Sequence, residues 1–86
     1  DPELTIERKE LREDIEEAIK ELSENYKIVI ILRYQLELSN QEIADTLGIS
    51  KENVEVRIHR ARKALRKILL KNWEKRGINN EMSISR

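Results

Sequence analysis

The side chains best suited to recognising a ligand lie between Gln41 and Lys63. Ser50, Lys51, Asn53, Glu55 and Val56 are followed by Arg57, His59, Arg60 and Lys63, a run of donors, acceptors and cations. Val54 and Ile58 interrupt it four positions apart, so on a helix they share one face. The opposite face then carries Glu52, Val56, His59, Arg60, Lys63 and Lys67, with Asn53, Glu55 and Arg57 flanking its start and Arg62 and Arg66 on the other flank. A rod of this kind suits the major groove of duplex DNA. Its later lysines and arginines would meet phosphates and release counterions. Glu55 would accept from a cytosine amine, and Val56 would touch a thymine methyl. Helix starts at Asn40–Gln41 and Ser50–Lys51 would add backbone N–H groups aimed at phosphate.

Catalytic chemistry is not expected. The chain has one His and no Cys, which excludes disulfides, thiolate zinc sites and His-rich metal clusters. His59 sits on a basic, exposed helix with no buried acid to orient it, so no acid–base pair is assembled. Neither a metal nor a cofactor is expected, and the protein is not expected to be an enzyme.

The elements that must position these groups are helices. The chain has 86 residues, 40% charged and 38% hydrophobic, with two Gly and one Pro, a composition that favours a single all-helical domain. Ile6, Leu11, Ile15, Ala18, Ile19 and Leu22 recur at helical steps and predict a first helix from about Thr5 to Leu22. Ser23 is a plausible cap for a second helix ending near Leu36. Its run Ile28-Val29-Ile30-Ile31 is β-branched throughout, but no partner strand exists elsewhere in the sequence to satisfy a strand's backbone groups. Ser39 stands three residues before Glu42, the spacing of a capping box, and Gly48 suits a left-handed helix end. Ile43, Ala44 and Leu47 would face inward, with Ile49 as an apolar plug. Ser50 caps the last helix, whose inward face is Val54, Ile58, Ala61, Leu65 and Ile68.

A short helix, a glycine turn and a longer helix make a helix-turn-helix over about residues 40–70. The expected fold is therefore all-α, four helices with a C-terminal helix-turn-helix and no sheet. Residues 1–4 read as a linker remnant, 5–72 as the helical domain and 73–86 as a polar, flexible tail. The opening Asp-Pro-Glu, without Met, reads as a fragment of a longer protein. No apolar run reaches membrane-spanning length, so no membrane insertion is expected.

A net charge of zero conceals a division. Residues 1–45 hold 13 acidic and 6 basic side chains, a balance of −7, and residues 46–86 hold 4 acidic and 11 basic, a balance of +7. The acidic half would repel DNA and orient the basic half towards it. Ile28, Ile30, Ile31, Leu36 and Leu38 exceed what so small a core needs, and an exposed remainder would mark a partner groove. Leu69, Leu70 and Trp73 would pack back on the first helix or meet a partner.

Taken together, Leu22, Tyr26, Val29, Leu32-Arg33, Glu42-Ile43-Ala44, Leu47-Gly48-Ile49-Ser50, Val54 and Arg57-Ile58-His59-Arg60-Ala61-Arg62 resemble region 4 of bacterial sigma factors, most similarly the extracytoplasmic-function group. The resemblance covers roughly residues 18–70. It implies recognition of the −35 promoter element within RNA polymerase holoenzyme, in the bacterial cytoplasm. DNA contact falls by position on Lys51, Asn53, Glu55, Val56, Arg57, His59 and Arg60, to which the helix starts add Gln41 and Ser50 and the basic face adds Lys63. It also implies docking on the flap of the polymerase β subunit and capture by an anti-sigma factor. Family members usually carry Lys or Arg where Glu55 stands and Ser where Val56 stands, which bears on the DNA sequence preferred rather than on the scaffold. Two other readings use the same residues: the DNA-binding output domain of a dimeric helix-turn-helix regulator, and a protein-interaction module without a DNA role.

Overall fold

The computed structural model describes residues 2–77, with side chains from Glu7 onward. The elements are α1 (Pro2–Lys20), α2 (Glu24–Ile30) running into a π-helical turn (Ile31–Gln35), α3 (Asn40–Leu47) and α4 (Lys51–Lys75). No strand occurs among the described residues, in keeping with the all-α, four-helix expectation. Asp1 and residues 78–86, most of the expected tail, lie outside the described residues, as does the side chain of Ile6.

The chain divides into two compact units. One is Leu22–Ala64, and the other combines the segment up to Glu21 with the segment from Leu65 onward.

The unit Leu22–Ala64 contains α2, the π-helical turn, α3 and the first part of α4. Its buried side chains are Leu22, Val29, Ile30, Ile43, Ala44, Val54, Ile58 and Ala61. The β-branched run is helical, as expected. Ser23 takes the extended backbone of an N-cap without a side-chain bond, and its carbonyl accepts from Lys27 N–H at 2.8 Å. The widening at Ile31–Gln35 has no counterpart in the sequence pattern. Leu36 N–H donates to Ile31 O, five residues back, at 3.0 Å, and Leu38 N–H donates to Leu32 O at 2.9 Å. A π turn inserts one residue and shifts the phase of the side chains beyond it. Ile31 and Leu32 are half-buried, whereas Tyr34 and Leu36 are exposed. The chain leaves this turn through Glu37 at φ 57°, the left-handed region, which side chains other than glycine seldom occupy.

In the second unit, α1 begins at Pro2, earlier than the periodicity indicates. Proline is tolerated in a first helical turn because its missing N–H has no partner there anyway. The helix ends at Lys20, where Glu21 N–H donates to Ala18 O at 3.0 Å and tightens the last turn. Ala18 and Ile19 are buried and Ile15 is half-buried. Leu11, assigned by its spacing to the same stripe, is 46% exposed. At the other end, α4 continues past its last periodic apolar residue to Lys75, since Lys, Asn and Glu after Leu70 do not break a helix. There Trp73 Nε1–H donates to Asp14 Oδ2 at 2.9 Å, and Arg76 Nη2 lies 3.0 Å from the same oxygen. Asn72 Nδ2–H donates to Glu21 Oε2 at 2.8 Å. Trp73 thus returns to the first helix. The Arg76 guanidinium and the Trp73 indole together hold the Asp14 carboxyl below its ordinary value.

Candidate nucleic-acid interface

Three local devices place α3 and the start of α4. Ser39 Oγ accepts from Glu42 N–H at 3.1 Å, and Glu42 Oε1 accepts from Ser39 N–H at 2.9 Å, a complete capping box. These bonds to Ser39 hold the Glu42 carboxyl below its ordinary value. At the far end of α3, Gly48 adopts φ 68°, ψ 34°, and Ile49 N–H closes on Ala44 O at 3.1 Å. The chain then turns into Ser50, whose Oγ accepts from Asn53 N–H at 3.0 Å while its carbonyl accepts from Val54 N–H at 3.1 Å. Ile43, Ala44, Val54, Ile58 and Ala61 are buried, with Leu47 and Ile49 half-buried, and this wedge fixes which face of α4 turns outward.

That outward face carries the predicted groups. Lys51, Asn53, Glu55, Val56, His59, Arg60 and Lys63 are exposed, as are Glu52, Lys67 and the flanking Arg62 and Arg66. Arg57 is half-buried on the flank. Gln41 is exposed but its Nε2 donates to Asp45 Oδ1 at 3.0 Å, so its side chain is engaged along α3. Ser50 is exposed with its Oγ occupied as a cap acceptor, which leaves its hydroxyl hydrogen for a ligand. Among the described residues no cluster of three or more His, Cys, Asp or Glu is arranged to hold a metal ion.

A second group of exposed apolar side chains lies on α2 and the turn after it. Ile28 and Leu36 are exposed, Leu36 at 61%, while Ile31 and Leu38 are half-buried and Ile30 is buried. Tyr34 belongs to this exposed set but carries no sign of it in the sequence, because the widened turn decides its direction.

Residues 12–65 match the family model for region 4 of sigma-70 factors. The ECF RNA polymerase sigma factor SigW of Bacillus subtilis is 44% identical over 68 residues, 79% of this chain and 36% of that protein. The RNA polymerase sigma factor YlaC of the same organism is 36% identical over 77 residues, 90% of this chain and 44% of that protein. The RNA polymerase sigma factor SigV, also of Bacillus subtilis, is 42% identical over 53 residues, 62% of this chain and 32% of that protein. The chain spans less than half the length of each of these relatives.

Proposed function

This chain belongs to the sigma-70 region 4 family, in its extracytoplasmic-function group, and from that premise we propose that it recognises the −35 element of promoter DNA for RNA polymerase. The role is one of binding rather than catalysis. The observation that carries it is the exposed face of α4 from Lys51 to Lys63, turned outward by the buried Val54, Ile58 and Ala61 and set by the left-handed turn at Gly48. Hydrogen-bonding groups in the first two turns meet base edges, and the cations further along meet phosphates. The acidic helix α1 is repelled by DNA and does not compete for it.

The exposed apolar set Ile28, Tyr34 and Leu36 is the surface we assign to a protein partner, the β-subunit flap of the polymerase or an anti-sigma factor that competes for it. No helix among the described residues is long and apolar enough to cross a membrane. From the sigma-factor role proposed here we assign its work to the bacterial cytoplasm.

Salt dependence tests the DNA role. With roughly five phosphate contacts, the log–log slope of affinity against salt is about −4 to −5. Replacing Arg60 and Lys63 together by Ala makes the slope shallower by about 2, because two contacts are lost. Both residues are exposed, so the fold is retained, as circular dichroism would check. Binding that stays flat between low and moderate salt, or a double variant with an unaltered slope, contradicts the assignment.

A further inference from the structure

The position on α4 opposite the midpoint of Val54 and Ile58 is occupied by an apolar residue. Val56 stands two residues from each, about 200° around the helix, and is 47% exposed. Glu52 lies one turn before it, and His59 and Arg60 lie one turn after, all exposed. A valine there makes no hydrogen bond, attracts no phosphate and covers no core.

The charges beside it narrow what it faces. Two surface glutamates pair along their helices, Glu17 with Lys20 at 3.3 Å and Glu24 with Lys27 at 3.3 Å, whereas Glu16, Glu37 and Glu74 enter no ion pair among the described residues. Among the described residues, Glu52 and Glu55 enter no ion pair, although both lie on the most basic helix. Two carboxylates flanking Val56 are repelled by a sugar-phosphate backbone, so this part of the helix is poorly suited to lie along one. Over base edges the same acids meet the cytosine amine, a donor. In the major groove the one apolar group on a base edge is the thymine 5-methyl.

We propose that Val56 is a specificity-determining residue that packs on the 5-methyl group of one thymine in the recognised site. This rests on α4 being the DNA-reading helix. The duplex preferred by the full chain is first selected from a random library, and each thymine in it is then replaced in turn by deoxyuridine, which removes only the methyl. At one position the replacement weakens binding roughly threefold to fivefold, the worth of one buried methyl. Val56→Ala weakens binding to the thymine duplex and abolishes the difference between thymine and uracil at that position. Val56→Thr, which keeps a methyl on the same carbon, retains part of that difference. Both variants change an exposed side chain, and an unaltered melting temperature confirms that they fold. The proposal is overturned if no thymine shows the effect, or if Val56→Ala weakens the thymine and uracil duplexes alike. A library that yields no preferred sequence, together with salt-independent binding, overturns the DNA-reading role itself, an outcome distinct from the other two.

Discussion

The two units of this small protein are held by different forces. In Leu22–Ala64 eight apolar side chains are buried, from Leu22 to Ala61, and both ends of α3 are fixed by local hydrogen bonds. In the other unit only Ala18 and Ile19 are buried among the described residues, and α1 is tied to α4 through Asp14, Trp73, Arg76, Glu21 and Asn72. Apolar burial is insensitive to pH and only weakly affected by moderate salt, whereas carboxylate-centred contacts respond to both. The unit that presents the proposed DNA-reading face therefore rests mainly on contacts that changes of solvent leave in place, the Glu42 capping box being its pH-sensitive exception. A reading helix needs that, because a misplacement of about 1 Å is enough to lose a base contact.

The largest effect that bears on this contrast comes from the core. Ile43, on α3, is fully buried. Ile43→Ala removes three carbons and leaves a cavity that close-packed neighbours only partly fill, at a cost of about 3 kcal/mol. In a domain of this size that lowers the melting temperature by more than 10 °C, on the order of 4–8 °C per kcal/mol. Thermal unfolding followed by circular dichroism measures it. A loss below about 1 kcal/mol would show that the first unit is not core-held and would remove the contrast.

The same division explains what the sequence discloses. Ser39 with Glu42, Gly48, and Ser50 with Asn53 are short-range patterns whose chemistry is complete within a few residues, and each forms as its spacing predicts. The outward face of α4 follows from a 3.6-residue period over Val54, Ile58 and Ala61, so the exposed groups of the candidate interface are legible as well. The π-helical turn is not, because Ile28 to Leu32 are apolar at every position and carry no period to mark a change of phase. Glu37 gives no sign of a left-handed backbone, since its residue type disfavours one. The bond from Trp73 to Asp14 spans 59 positions, and nothing in the spacing of either residue selects the other. Leu11 fits the apolar stripe of α1 and is exposed all the same, because periodicity specifies a face and not the length over which that face is covered.

The second test concerns the polar unit. Asp14 is held below its ordinary carboxylate value, first by Arg76 and then by Trp73. As pH falls, the unfolded chain takes up this proton before the folded one does. The stabilisation is therefore complete above roughly pH 5, and it is lost as pH falls below about 4 through the depressed folded value. The protein has one Trp, so its fluorescence reports the Asp14 site selectively. Glu42 titrates in the same direction within the other unit, where it is followed through the helical signal instead. Trp73 emission is expected to change on acidification below about pH 4. Asp14→Asn gives a flat profile there and is less stable than the wild type at pH 7, and the two proteins converge in acid. A wild-type profile shared by Asp14→Asn would place the pH response elsewhere.

The smallest effect compares two helix ends inside the core-held unit. α3 ends on Gly48 at φ 68°, where an added Cβ would meet nothing within 4 Å, so the glycine is there for its backbone alone. The turn after α2 makes a similar left-handed exit at φ 57° with Glu37. For a residue with a Cβ that conformation costs roughly 1–2 kcal/mol. Glu37→Gly relieves the cost but gives the unfolded chain more freedom, which takes back about 0.4–1 kcal/mol. The variant should be more stable by about 0.5 kcal/mol, a rise of roughly 2–4 °C in melting temperature. Glu37→Asn, whose short amide tolerates the left-handed region, should fall between the two. If Glu37→Gly lowers the melting temperature instead, the glutamate side chain contributes more than its backbone strain removes. The bond from Arg33 Nη1 to the neighbouring Leu38 carbonyl, at 3.3 Å, is then the part of the turn to examine, since it spans the strained residue and depends on the exit geometry that Glu37 sets.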